Sequence, residues 1–342
     1  MTEVIGTFGV IADVQYGNVE NGQNFAKTCT RYYRPALSML QVSCDAWLQS
    51  VEASSGPKLI MNLADLIDQG NIVRDEQEVA LQTTLDCFQP LVAKGVEVHH
   101  LIGNHELYNF GPTDLLKRGF GCPREGRFFY AFDPYPGWRF IVLNSMENSV
   151  VRPGCMKFTE PPADDPGYAA AREILMANNP NMSGGEAKWY AGVNWLEGLQ
   201  PGVGRRFLPY NGALGAEQLE WLRTQLEKAR EDEVRVVAFT HIPAHPDSAA
   251  PSDILWDYEA ALDVLATTQC KHKSVPVVRA VFAGHHHLGG YCEDRGVFHV
   301  TFQAPLETDP SKYKECAADV SITSAAIQIK GRGAQFSLDI PL

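Results

Sequence analysis

The chain has 342 residues, 45% of them hydrophobic and 20% charged, a balance that belongs to folded proteins and not to disordered ones. With 41 acidic against 29 basic residues its net charge is −12. This excludes a broad basic surface for nucleic acid, but not an anionic substrate met by bound cations. The 8 cysteines are spaced singly, without a Cys-x-x-Cys pair, so reduced thiols are expected in preference to a zinc cluster. There is no basic, apolar leader and no run long enough to span a bilayer, so the expectation is a soluble cytoplasmic monomer with no membrane or nucleic-acid partner.

In chain order, residues 7–12 (Thr-Phe-Gly-Val-Ile-Ala) form an apolar run that reads as a buried strand and ends in Asp13-Val14-Gln15. Asp13 and Gln15 are two apart and point to one side of an extended backbone, though alone they read equally well as a turn Asp and a solvated Gln. Residues 24–54 carry helical spacing, with Tyr33, Leu37, Leu40, Cys44 and Trp47 on one face. Phe25, ahead of that face, is either a core residue or a lid over a base. Arg31 and Arg34 are either surface charges or phosphate contacts. Residues 57–63 read as a second strand, ending in Ala64-Asp65-Leu66-Ile67-Asp68. An amphipathic helix follows over 74–94, with Val79, Leu81, Leu85, Phe88 and Val92 as its apolar members. Residues 96–102 form a third strand, which stops at Gly103 and presents Asn104, His105 and Glu106. Asn104 offers an amide oxygen, and His105 can donate or accept a proton. His99 and His100, inside the strand, read as packed residues. The strand–helix alternation predicts parallel strands with crossover helices.

Residues 128–132 and 138–144 flank Pro-Tyr-Pro-Gly and predict a hairpin. The stretch 146–212 is rich in Pro, Gly and Asn, with one helical patch over 168–178; it reads as an irregular insertion that shapes a pocket. A helix over 216–230 precedes a strand, 234–239, that ends in Thr240-His241-Ile242-Pro243. A helix is expected over 253–267 with Ser252 as its cap, then a strand over 277–283 that ends in Gly284-His285-His286-His287. The remainder, 297–302, 320–329 and 334–340, is strand-rich. His245, His272, His286 and His299 are read as structural.

If these strands are parallel neighbours, Asp13, Gln15, Asp65, Asp68, Asn104, His105, His241, His285 and His287 all meet along one sheet edge, where ligands of α/β folds bind. The groups span nearly the whole chain, which favours one domain over 1–342. Carboxylate, amide and imidazole without thiolate suit Mn²⁺, Fe or Zn²⁺ in a mixed oxygen/nitrogen site.

The order Asp-x-Gln, Asp-x-x-Asp, Gly-Asn-His-Glu, His-x-Pro and Gly-His-x-His, covering residues 13–287, resembles the calcineurin-like metallophosphoesterases. Gln15 stands where that family usually has His, and Ala64 where it usually has Gly. The Gln variant, with Asn24-Phe25, Arg31-Tyr32-Tyr33-Arg34 and Asn104-His105-Glu106-Leu107-Tyr108-Asn109-Phe110, is most similar to the manganese-dependent ADP-ribose/CDP-alcohol diphosphatases.

The resemblance implies an α/β fold, a four-layer α/β/β/α sandwich with two mixed sheets and a dimetal site at the strand ends. It implies two divalent ions, foremost Mn²⁺. Asp13, Gln15, Asp65 and His287 would hold one ion, and Asp65, Asn104, His241 and His285 the other. An amide oxygen at Gln15 in place of imidazole hardens the first site toward Mn²⁺. A metal-bridging hydroxide would attack phosphorus, with His105 donating to the leaving oxygen and Asp68 orienting its imidazole. Phe25, Arg31 and Asn109 would contact substrate. The implied reaction cleaves ADP-ribose to AMP and ribose 5-phosphate, and CDP-alcohols such as CDP-choline to CMP and phosphocholine. The alternatives are a phosphomonoesterase or other phosphodiesterase of the same fold, and an inactive interaction scaffold.

Overall fold

The computed structural model describes residues 3–24, 27–153, 155, 165–182 and 193–342. Strand β1 (Val4–Ile11) runs into the Asp13 loop. A short hairpin, β2 (Gly22–Gln23) and β3 (Thr30–Arg31), leads to helix α1 (Tyr33–Glu52). Then come β4 (Leu59–Asn62), the single turn α2 (Gly70–Val73), α3 (Gln77–Ala93), β5 (Glu97–His100), α4 (Asn104–Asn109) and α5 (Pro112–Lys117). The second part opens with β6 (Tyr130–Tyr135) and β7 (Trp138–Val142), followed by α6 (Pro166–Asn178), α7 (Gly215–Glu231), β8 (Arg235–Phe239), α8 (Tyr258–Thr267) and β9 (Val278–Ala283). It closes with β10 (Gly290–Asp294), β11 (Val297–Thr301), β12 (Cys316–Thr323), β13 (Ala326–Gly333) and β14 (Leu338–Pro341).

The strands form two six-stranded mixed sheets, ordered β14-β13-β12-β1-β4-β5 and β10-β11-β9-β8-β7-β6. In the first, β1, β4 and β5 are parallel, and β12 returns antiparallel to β1. In the second, β7, β8, β9 and β11 are parallel. The site strands are therefore not neighbours in one sheet, as simple alternation suggests. β1, β4 and β5 belong to one sheet, and β8 and β9 to the other.

Side chains that alternate along each strand explain the layering. Phe8, Leu59, Met61, Val237 and Phe239 enter an apolar cluster shared by both sheets, whereas Ile60, Val236 and Ala238 face a second cluster that also takes in helix residues. Phe140 is central to the inter-sheet layer, its ring centroid 5.0 Å from Phe8 and 4.9 Å from Phe239. On the outer face, Trp47 is fully buried, and its indole N–H donates to Asp319 Oδ1 at 2.7 Å. Gly9 is required beneath it, because a Cβ there would lie 2.6 Å from Ile60 Cδ1 and 2.7 Å from Trp47.

Several local expectations are corrected. The helical face begins only at Tyr33, since Gly22–Gln23 and Thr30–Arg31 pair as antiparallel strands ahead of it. Val79 and Val92 are exposed, whereas Leu81 and Phe88 carry the buried face of α3. The apolar run 320–329 turns at Ser324–Ala325 and supplies two antiparallel strands, β12 and β13. Helix α8 starts at Tyr258, five residues later than expected. Ser252 bonds the Asp253 side chain instead of capping the helix.

Candidate metal centre

Both sheets end at one cleft. The Asp13 and Asp65 loops are zipped together by backbone bonds, with Asp13 N–H donating to Ala64 O, Gln15 N–H to Asp65 O and Asp68 N–H to Tyr16 O. Asp13, Gln15, Ala64 and Asp65 in these loops have φ values of 51°, 44°, 83° and 56°, and His285, whose N–H donates to Asp13 Oδ2, has 66°. L-residues occupy that region at a cost of about 1–2 kcal/mol each, so the surrounding bonds must over-determine these turns. Ala64, where a glycine is the usual choice, thus takes a glycine-like conformation.

Glu106 is the buried clamp beneath. Its two carboxyl oxygens accept the N–H groups of Asp65, Leu66 and Gly103, at 2.9, 2.7 and 2.9 Å. Burial and Asp65 push its pKa up to about 8 against these three donors. Both oxygens accept, which is the pattern of the anion. The glycines of the two motifs are steric requirements. A Cβ on Gly103 would sit 2.2 Å from Asp65 Oδ1 and 2.6 Å from His241 Nε2, and one on Gly284 would sit 2.5 Å from Asp13 Oδ2.

Hydrogen-bond partners fix which nitrogen of each imidazole faces the cleft. His241 Nδ1 is 2.8 Å from Leu63 O, a carbonyl that only accepts, so Nδ1 carries the hydrogen and Nε2 turns inward. His285 Nε2 is 2.8 Å from Asn211 Oδ1. The Asn211 amide is oriented by its Nδ2, which donates to Arg206 O and Ser252 O, so His285 presents Nδ1. His287 Nδ1 donates to Glu307 Oε1 at 2.9 Å, leaving Nε2 inward.

The inward atoms then crowd together. His241 Nε2 lies 3.2 Å from each of Asp65 Oδ2, Asn104 Oδ1 and His285 Nδ1. Ligand atoms of Asp65, His241 and His285 all fall within 4.8 Å of one another. Lone pairs so packed are stable only around a cation or a shared proton. Burial opposes charge on His241, but Asp65 more than offsets it and raises the imidazole to about 9. His285 is driven down to about 3 by burial and by His241. Burial raises Asp13 to about 6, with His241 and His287 pulling it back. Burial also works on Asp65, yet His241 and His105 hold it below the usual carboxylate range.

On the other side, His287 Nε2 is 3.7 Å from Asp13 Oδ1 and 2.9 Å from Gln15 Nε2. Asp13 Oδ1 and Gln15 Oε1 are buried without a hydrogen-bond partner. Two orphaned buried oxygens beside an inward imidazole fit a hard cation. Gln15 turns its nitrogen inward, donating to Asp65 Oδ2 at 3.3 Å; a half-turn of the amide brings the oxygen to that place.

His105 and Asp68 are close but not arranged as expected. His105 Nδ1 accepts from Gln69 N–H at 3.0 Å, and the Asp68 carboxylate stands 3.9 Å away, where it accepts from Gly70 N–H. The backbone at Gln69, not the Asp68 side chain, therefore sets the tautomer, and His105 Nε2 carries the hydrogen. Burial lowers the His105 pKa, with Asp65 and Asp68 opposing the shift. Asn109 does not face the cleft. It is buried behind His105, with its Nδ2 committed to Asp68 O and His105 O, and so is not placed for the expected substrate contact. Arg31 lines the cleft, and Phe25 lies outside the described residues.

The cleft holds about 610 Å³ and is also lined by Leu196, Tyr210, Asp253, His286 and Glu307. His286 bonds Asp253 at 2.8 Å. Asn211 and Glu307 carry no signal in the sequence. One is an Asn within the insertion, the other a lone Glu 20 positions beyond His287, and neither has a spacing that signals its contact. Among the described residues, no helix is long and apolar enough to cross a membrane.

Residues 6–289 match the family model described as calcineurin-like phosphoesterase. The chain is similar to proteins named manganese-dependent ADP-ribose/CDP-alcohol diphosphatase. It is 32% identical to that of Xenopus tropicalis, over 97% of this chain and 93% of the relative, and 32% identical to that of Homo sapiens, over 97% and 91%. To that of Arabidopsis thaliana it is 33% identical, over 92% and 90%. The crystal structure of a dimetal phosphatase from Danio rerio superposes with a TM-score of 0.84 at 31% identity, covering 99% of both chains. Motif order, two-sheet architecture and converging donors agree with these matches, and the chain belongs to the calcineurin-like phosphoesterase family.

Proposed function

We propose that the chain is a manganese-dependent hydrolase that cleaves the diphosphate bond of ADP-ribose, to AMP and ribose 5-phosphate, and of CDP-alcohols such as CDP-choline, to CMP and phosphocholine. The metal-dependent chemistry rests on the crowding of inward lone pairs around His241 Nε2. The substrate class rests on the names of relatives that match nearly the whole chain. One domain, 1–342, is the reading this supports, because the site draws on both sheets.

Asp13, Gln15, Asp65 and His287 would hold one divalent ion and Asp65, Asn104, His241 and His285 the other, with Asp65 common to both. Such ions acidify water and neutralise phosphate oxygens. The chain's own residues do the rest. His105, with its hydrogen on Nε2, donates to the leaving oxygen; loss of such an acid/base residue costs about 10²–10⁴-fold. Arg31, which lines the cleft, attracts the diphosphate, and Phe25 is assigned by resemblance to stack on a base. The described part of the 146–212 segment reaches the cleft with Leu196 and Tyr210, which supports its reading as a pocket wall. A small nucleoside-diphosphate-linked substrate, a monomeric state and a cytoplasmic location complete the proposal.

Product analysis with Mn²⁺ and with Mg²⁺ tests it, using ADP-ribose, CDP-choline and a phosphomonoester in parallel. Release of AMP and CMP that requires Mn²⁺ is expected, with the monoester inert. Turnover of the monoester alone would transfer the site to phosphomonoesterase chemistry.

A further inference from the structure

We propose that Glu307 is a positioning residue that ties a metal-facing imidazole to the substrate-facing hairpin, one carboxylate oxygen holding both His287 and Arg31. The inference rests on the reading that His287 faces a bound ion. Glu307 ends a short 3-10 turn, Pro305–Glu307, and its side chain is 7% exposed. Its Oε1 accepts from His287 Nδ1 at 2.9 Å and from Arg31 Nε at 3.3 Å.

The backbone of this turn makes three further bonds in the same region. Ala304 N–H donates to His287 O at 3.0 Å, Leu306 N–H to Asp13 O at 3.4 Å, and Leu306 O accepts from Tyr32 N–H at 2.7 Å. The turn is thus wedged between two residues of one ion's donor set, Asp13 and His287, and the chain just after β3. Because a carboxylate only accepts, Glu307 keeps the hydrogen on Nδ1 of His287 and leaves Nε2 to face the ion. The same negative oxygen anchors Arg31 at the cleft wall, so its outer guanidinium N–H groups are aimed before substrate arrives. Loosening Glu307 must therefore loosen both, whereas removing Arg31 leaves the His287 bond in place.

Mn²⁺ titration of the full chain without substrate, followed by electron paramagnetic resonance and calorimetry, reads the first arm. Glu307→Ala is expected to weaken one of two Mn²⁺ sites by about 10- to 100-fold and leave the other unchanged. The isosteric Glu307→Gln, which keeps an accepting oxygen and the packing, should fall between. Steady-state kinetics read the second arm. Both Glu307 variants and Arg31→Gln should raise KM for the diphosphate by about tenfold, the worth of one charge-assisted hydrogen bond, but Arg31→Gln should leave both Mn²⁺ affinities alone. Two wild-type sites with Mn²⁺ affinities unchanged in Glu307→Ala would overturn this proposal alone. Failure of the wild type to bind two ions would overturn the metal reading, and this inference with it.

Discussion

Gly103→Ala isolates the steric demand of the centre. Gly103 has φ −122° and ψ −172°, extended backbone open to alanine, so the substitution carries no conformational penalty. The added Cβ would lie 2.2 Å from Asp65 Oδ1 and 2.6 Å from His241 Nε2, while ordinary contact begins at 3.4 Å. The carboxylate must retreat by 3.4 − 2.2 = 1.2 Å and the imidazole by 3.4 − 2.6 = 0.8 Å. Asp65 has little freedom to do so, since its Oδ1 accepts from His105 N–H at 2.9 Å and its own N–H is held by Glu106. A misplacement of about 1 Å costs on the order of 10²-fold in rate. Asp65 is assigned to both ions, so both should weaken. The assay is kcat on ADP-ribose at saturating Mn²⁺, with Mn²⁺ titration and thermal melting alongside. Gly111→Ala, where a Cβ meets nothing within 4 Å, is the control in the same motif region and should leave all three readouts unchanged. Wild-type turnover with two intact Mn²⁺ sites in Gly103→Ala would refute the reasoning.

Other consequences are open to measurement. Glu106→Gln turns an amide NH₂ toward backbone donors and should cost about 1–3 kcal/mol of stability in urea unfolding; an unchanged midpoint would mean that Glu106 is protonated, since the amide mimics the acid. Asn211→Ala removes the acceptor that holds His285 Nε2–H and should weaken Mn²⁺ at the His241/His285 site by about 10- to 100-fold, with unchanged affinity refuting the assignment. Burial lowers His100 to about 3, with His99 adding to the effect. Below the usual histidine value of about 6.5 the unfolded chain therefore takes up a proton that the folded chain refuses. The stability held above that pH should fall as pH drops from about 6.5 toward 3, by up to about 1.4 kcal/mol per pH unit from this residue. His100→Gln should flatten the slope by that amount between pH 7 and 5, and an identical slope would exclude His100 as its source.

The candidate metal donors are legible in the sequence because each sits where an apolar run stops, and ligands of α/β folds bind at strand ends. Asp13, Asp65, Asn104, His241 and His285 all lie two to four residues beyond a strand, so counting from apolar runs locates them without coordinates. What a linear pattern cannot hold is contact between distant segments. The five strands divide between two sheets, a matter of pairing that alternation leaves undecided. Asn109 follows the Asn104 motif in sequence, but the helical turn of α4 carries it behind His105. The Asp68 carboxylate stands 3.9 Å from His105 Nδ1, yet the Gln69 N–H reaches that nitrogen at 3.0 Å. Asn211 and Glu307 come from an insertion and a C-terminal turn, and they fix the imidazoles of His285 and His287 across 74 and 20 residues of chain. Sequence by itself determined the kinds of atoms brought to the strand ends. Tertiary structure alone decided which lone pair each ring turns inward, because a tautomer is set by whatever acceptor packing places against the opposite nitrogen.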